Sequence, residues 1–334
     1  MVRYRPLGKG KAEAVLGEHK VAEEDAGQRL DRWLKGIFPN LPYIAVQKLI
    51  RLGKVRVDGV KAQAASRLAG GSLVTFPADF SGGERKGSGA AVYQVTSADM
   101  EMLDDATLFE DAAMLVLNKP AGLPTQAGGG QVRSLDRIFE GIYGEKAPKL
   151  VHRIDRETTG LLVCAKNRTM AAALTAQFAG RGVQKEYLAV VVGKLPAQKG
   201  EMREPIAKVG AFAKIDKSGD AAHTSWRWLA SDGDNLHLLA CVPHTGRMNQ
   251  LRVHLSHAGL PMLGDDKYGN DTVKTFGKDL LGGRVPLFLH AWKLALEHPQ
   301  TQEKLAFEAP LPAHFAAMVE RMGLNGLTAL SARD

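Results

Sequence analysis

Apolar residues recur at helical spacing in GQRLDRWLKGIF, where Leu30, Trp33, Leu34 and Ile37 share one face. Pro39 and Pro42 end that stretch, and YIAVQKLIRLG offers a second amphipathic helix stopped by Gly53. The period then falls to two. KVRVDGVKA alternates, turns at Asp58-Gly59 and returns, as a hairpin does, and GGSLVTFP closes with another strand. The pattern predicts two helices followed by three short strands over residues 18–77.

Residues 1–17 read as a flexible basic arm, and the polar, glycine-rich ADFSGGERKGSGAA places a linker over 78–103. From 104 to 323 the texture changes to short strands with helices between them. AMLVLNKPAG, GLLVCAKN, EYLAVVVG, TSWRWLA, LHLLACVP and LFLHAWKLALEHP are the strand candidates. TMAAALTAQFAG, RMNQLRVHLSHAG and PAHFAAMVERMG read as helices, and 324–334 as a tail. Strand and helix do not alternate regularly, so the fold class is α+β with a mixed, mainly antiparallel sheet flanked by helices.

Composition narrows the partners. The 334-residue chain is 45% apolar and 24% charged, enough for a large core and two domains. Its net charge of +8 favours acidic partners, nucleic acid first. From Arg32 to Arg67 there are eight basic residues and one acid, Asp58. Arg32, Lys48, Arg51, Lys54 and Arg56 are the candidate RNA contacts, since such a patch neutralises several phosphates. The bland alternative is a solvated helix face, and the scarcity of compensating acids weighs against it.

Both cysteines, Cys164 and Cys241, lie inside apolar runs and build neither a disulfide framework nor a zinc site. No run approaches the roughly 18 apolar residues of a membrane span, and the basic start MVRYRPLGKGKAEA lacks an apolar signal core. A cytoplasmic monomer with no membrane partner is expected. No Walker sequence, dinucleotide fingerprint or metal cluster is found, so no cofactor and no metal are expected.

Candidate chemistry gathers in three segments. In LVHRIDRETTGLLVCAKN, His152, Arg153, Asp155, Arg156 and Glu157 stand in a loop entering a buried strand, with Thr158-Thr159-Gly160 shaping the turn. A carboxylate between two arginines makes a poor general acid. It suits a nucleophile, a stabiliser of an oxocarbenium-like carbon, or half of a structural ion pair. In HTGRMNQLRVHLSHAGLPMLGDDKYG, Arg247 lies in the turn that opens a helix. Arg252 shares an apolar face with Met248 and Leu255, so its head must seek a partner, for which Asp155 is a candidate. His254 and His257 lack a third ligand and read as core or RNA-facing. In VQKEYLAVVVG, Tyr187 and Ala189 face one way and Glu186 and Leu188 the other, and a buried tyrosine needs a partner for its hydroxyl.

The stretch RLDRWL…QKLIRLGKVRVDGV resembles the S4 RNA-binding domain, departing from it at LPYIAV, at the DG turn and at Ser72. LVHRIDRETTGLLVCAKN resembles the H-R-L-D-R-x-T-S-G signature of RluA-type RNA pseudouridine synthases. LVLNKPAGLP, QKEYLAVVVG, HTGRMNQLRVHLSHAGLPMLGDDKYG and LFLHAWKLALEHP are similar to the accompanying motifs in order and spacing. Met248 and Asn249 depart from that family's usual Thr-His.

The resemblance implies isomerisation of uridine to pseudouridine in RNA without a cofactor, with the base flipped out of its stack. It implies that Asp155 is the essential carboxylate, paired with Arg252, and that Tyr187 stacks on the uracil. Arg153 would fill the vacated space, with His152 and Arg247 supporting substrate binding. Lys119 in the NKP turn would be structural or a phosphate contact. An S4-bearing chain with QAGGG after that turn points to large-subunit ribosomal RNA, with transfer RNA as the alternative. The rivals are a non-catalytic S4-type ribosome-binding or assembly protein and a sugar-cleaving hydrolase, which needs a second, opposed carboxylate.

Overall fold

The computed structural model describes residues 16–38, 46, 49–77, 93–128, 133–180 and 182–324. Lys48 lies outside them, as do most of the arm, the glycine-rich part of the linker and the tail from residue 325. The chain divides into two compact units, Met1–Ala90 and Ala91–Asp334.

The first unit contains β1 (Leu16–Lys20), α1 (Leu30–Ile37), β2 (Arg56–Val57), β3 (Val60–Lys61) and β4 (Leu73–Pro77). Its strands form an antiparallel sheet in the order β1-β4-β2-β3. Leu30, Trp33 and Leu34 of α1 pack with Val46, Ile50, Val74 and Phe76. The DG turn forms as read. Asp58 and Gly59 have φ of 50° and 76°, the pair of positive values that a twisted two-residue hairpin demands. One strand escaped the pattern. LGEHK is polar, yet it pairs with β4 from Leu16↔Pro77 to Lys20↔Leu73, so order begins within the stretch expected to be an arm.

The second unit opens with α2 (Ser97–Ala106), which begins inside the stretch 78–103 assigned above to a linker and runs past its end. A capping box starts it: Thr96 Oγ1 accepts from the Asp99 N–H, and Asp99 Oδ2 accepts from the Thr96 N–H at 3.0 Å. The large sheet is built from β5 (Thr107–Glu110), β6 (Met114–Lys119), β7 (Lys149–Leu150), β8 (Thr159–Ala165), β9 (Gln184–Val192) and β10 (Lys199–Met202). It is completed by β13 (Thr224–Asp232), β14 (Leu236–Pro243), β15 (Leu289–Glu297) and β16 (Lys304–Glu308), while β11 (Ile206–Val209) and β12 (Phe212–Ile215) make a separate hairpin. The main path runs β10-β13-β14-β9-β15-β8-β6-β5. Among the described strands only β8 and β15 run parallel to each other; the other pairs are antiparallel. Helices α3 (Leu135–Tyr143), α4 (Arg168–Ala179), α5 (Gln250–His257), α6 (Asp271–Leu281) and α7 (Ala313–Arg321) accompany it.

Both faces of the sheet are covered, which explains the unbroken apolar run of β8. Leu162 and Cys164 pack with Leu135, Ile138 and Phe139 of α3 on one side, and Leu161 and Val163 pack with Leu174 of α4 on the other. Leu188 and Val190 of β9 face Phe315 and Met318 of α7, while Ala189 and Val191 face Leu251 and Leu255 of α5. Cys164 and Cys241 are fully buried in β8 and β14. The parallel register Gly160↔Ala291 is unusually close. Gly160 has a φ of +103°, and a β-carbon there would lie 2.2 Å from the Ala291 carbonyl oxygen. Only glycine lets the loop before β8 enter at that point.

Candidate functional site

The loop entering β8 carries Asp155, and its backbone is fixed from three sides. Buried Lys119, at the end of β6, donates to the carbonyls of Pro120 at 2.8 Å, Leu123 at 2.9 Å and Arg156 at 3.1 Å. Burial pulls the Lys119 pKa down to about 7, against the attraction of Glu157 and Asp155. Thr125 Oγ1 donates to the Ile154 carbonyl at 2.8 Å, and the Thr158 N–H closes a turn on the Asp155 carbonyl at 3.2 Å. Lys119 thus serves the loop's backbone.

From the other side comes the N-terminal end of α5. This helix starts at Gln250, two residues later than the apolar pattern placed it. Arg252 Nη1 lies 3.3 Å from Asp155 Oδ2, so the pairing expected from sequence is made. It is the lesser of two. Arg252 Nε and Nη2 grip the buried Asp265 at 2.8 and 2.6 Å, a two-pronged contact of the strong kind. Burial disfavours both charges, but their mutual attraction wins: Arg252 is raised and Asp265 lowered from their ordinary pKa values. Asp265 follows Gly264, which has a φ of +76° and where an added β-carbon would lie 1.8 Å from the Pro286 carbonyl oxygen, so only glycine fits. The Lys267 and Tyr268 N–H groups complete its shell at 2.9 Å each.

Nothing in the apolar periodicity singles out Asp265 in GDDKYG. A buried arginine on an apolar helix needs a full counter-charge, and the acids of GDDKYG stood within reach. Asn249 was noted only as a departure from the family pattern. It has a φ of 52°, and its Nδ2 donates to Asp155 Oδ2 at 2.5 Å.

Tyr187 sits on β9 where Cys241 of β14 and Ala291 of β15 flank it. Its ring bridges three core clusters, and it lines a cleft of about 1510 Å³ together with Asp155, Arg252 and Asn249. Burial, then the charge of Asp155, raises its pKa, which keeps a neutral phenol at the site. The hydroxyl has no protein hydrogen bond among the described residues, in contrast to the partner expected for it.

The remaining substrate-binding residues expected from sequence, His152, Arg153 and Arg247, line the same cleft but are held by different partners. Arg153 is exposed and lines the cleft. His152 turns into the fold, where Nε2 accepts from the Val163 N–H at 2.8 Å and the ring stacks on Phe178 at 4.2 Å. Arg247 is tied to the Ala221 carbonyl at 3.0 Å and to Asp220 at 3.5 Å, not to Asp155. His254 is buried between Thr224 and the Glu204 carbonyl. Among the described residues no three of His, Cys, Asp and Glu are grouped to hold a metal ion. No described helix is long and apolar enough to cross a membrane. In the first unit Arg32, Arg51, Lys54 and Arg56 are all exposed.

Residues 113–257 match the RNA pseudouridylate synthase family. The chain is 32% identical over 305 residues to the ribosomal large subunit pseudouridine synthase C of Vibrio cholerae, covering 90% of this chain and 95% of that protein. It is 34% identical over 297 residues to the protein of the same name from Rickettsia bellii, covering 86% and 95%. Among solved structures, human RNA pseudouridylate synthase domain containing 4 superposes with a TM-score of 0.55 at 29% identity, over 67% of this chain and 95% of that one.

Proposed function

The chain belongs to the RNA pseudouridine synthases and isomerises uridine in RNA, and from that premise we propose that its substrate is large-subunit ribosomal RNA and that Asp155 performs the chemistry. The names of its relatives support the substrate. What carries the role of Asp155 is its placement: a partly exposed carboxylate lining the cleft, 3.3 Å from an arginine that is itself locked onto a buried acid.

The glycosidic bond between uracil nitrogen 1 and the anomeric carbon breaks. A bond from carbon 5 of the base to the same anomeric carbon forms, and the proton displaced from carbon 5 is balanced by one gained at nitrogen 1. Asp155 acts at the ribose, either on the anomeric carbon or on the neighbouring proton. Arg252, fixed by Asp265, holds the carboxylate aimed. Tyr187 offers its ring to the base. Because the target carbon is unreachable within a stack, the uridine is extruded, and exposed Arg153 fills the gap. Residues 18–77 form an S4-like unit that contacts RNA through Arg32, Lys48, Arg51, Lys54 and Arg56. An assembly factor that only binds RNA would have no use for Asp155, Arg252 and Tyr187 around one cleft.

Asp155→Asn tests this. With ribosomal RNA transcripts, loss of product with unchanged RNA affinity is expected. Product formation at the parental rate would remove Asp155 from the reaction.

A further inference from the structure

Asp155 is held through one of its two oxygens. Asn249 Nδ2 reaches Oδ2 at 2.5 Å and Arg252 Nη1 reaches the same atom at 3.3 Å. Among the described residues no protein group takes Oδ1. Two donors converging on one oxygen fix the rotation of the carboxylate, and the other oxygen is left for the cleft.

The amide is oriented by its own neighbours. Lys267 Nζ, which can only donate, reaches Asn249 Oδ1 at 2.9 Å. The Tyr268 hydroxyl accepts from the Ala213 N–H at 3.0 Å, so its proton goes to Asn249 Oδ1, also at 3.0 Å. Nδ2 is therefore the atom turned toward Asp155. The backbone adds a further condition. Asn249 is left-handed, with φ 52° and ψ 28°, directly before α5, and asparagine tolerates that region better than most residues. One turn of chain thus delivers both donors, Asn249 and Arg252, to one carboxylate oxygen.

We propose that Asn249 is a positioning residue: with Arg252 it pins Asp155 Oδ2 so that Oδ1 meets the ribose of the extruded uridine. This rests on the role proposed for Asp155.

The test uses the full chain with a ribosomal RNA substrate and three variants. Asn249→Asp keeps the size, the tolerance of a left-handed backbone and an acceptor for Lys267 and Tyr268, but sets an oxygen against Asp155 Oδ2. Asn249→Gly keeps the backbone and removes the donor without repulsion. Asp155→Asn reports on the underlying reading. Removing a charge-assisted hydrogen bond at the reacting group is expected to lower kcat about 10- to 100-fold in both Asn249 variants. KM, RNA affinity and melting temperature should stay at parental values. Parental kcat in Asn249→Asp alongside an inactive Asp155→Asn would overturn the inference alone, whereas an active Asp155→Asn would overturn the reading beneath it. Should Asn249→Asp melt early, Asn249→Gly decides: reduced kcat with unchanged KM supports the positioning role, and parental kcat sinks it.

Discussion

Of the ionisable side chains crowded between His152 and Glu157, the imidazole is built into the fold. His152 must stay neutral to accept from Val163, and its burial, with the charge of Lys185 adding to it, drives its pKa from 6.5 to about 3. The unfolded chain takes up a proton between those two values and the folded chain does not. The contribution of His152 to stability is therefore complete above pH 6.5 and is lost as the pH falls toward 3. His152→Gln keeps an acceptor but cannot titrate. Denaturant unfolding of the two proteins across that window should diverge by up to about 1.4 kcal/mol per pH unit, the parent being the steeper. Parallel curves would show that the imidazole is not held neutral. Arg252 shows the opposite arrangement, a charge kept charged in a nearly closed site because Asp265 matches it on two prongs.

The junction of β8 and β15 is where elements and chemistry meet, since the loop bearing Asp155 enters β8 through it. Gly160→Ala would combine a left-handed strain of about 1–3 kcal/mol with a β-carbon 2.2 Å from the Ala291 carbonyl. A lower melting temperature together with reduced turnover is expected, and a variant as stable and active as the parent would show that the strands have room to separate. Strands walled on both faces were legible in the sequence, because an unbroken run such as Leu161 to Ala165 has no other reading at that length. Edge elements were not. β10, β16 and β1 are short, with polar residues at exposed positions, and they exist through their pairing with β13, β15 and β4. The same holds at the site. Asp155 and Arg252 could be matched by charge and helical face, but Asp265 competes for the same guanidinium, and a left-handed residue ahead of α5 leaves no trace in periodicity.

At the scale of the molecule, charge should govern how RNA is held. Arg32, Arg51, Lys54 and Arg56 are exposed, and neutralising the four together should weaken RNA binding. It should also make the dependence of log affinity on log salt shallower by about 0.7–0.9 for each phosphate no longer neutralised. A parental salt slope would take the patch out of the interface. The two thiols point elsewhere. Cys164 and Cys241 are sealed in central strands, and burial pushes both to about 12, leaving them inert to reagents that need a thiolate. A cysteine introduced at a chosen surface position would therefore be the reactive one, and fluorophores can be attached to follow the folded enzyme as it takes up RNA without first stripping out its natural sulfurs.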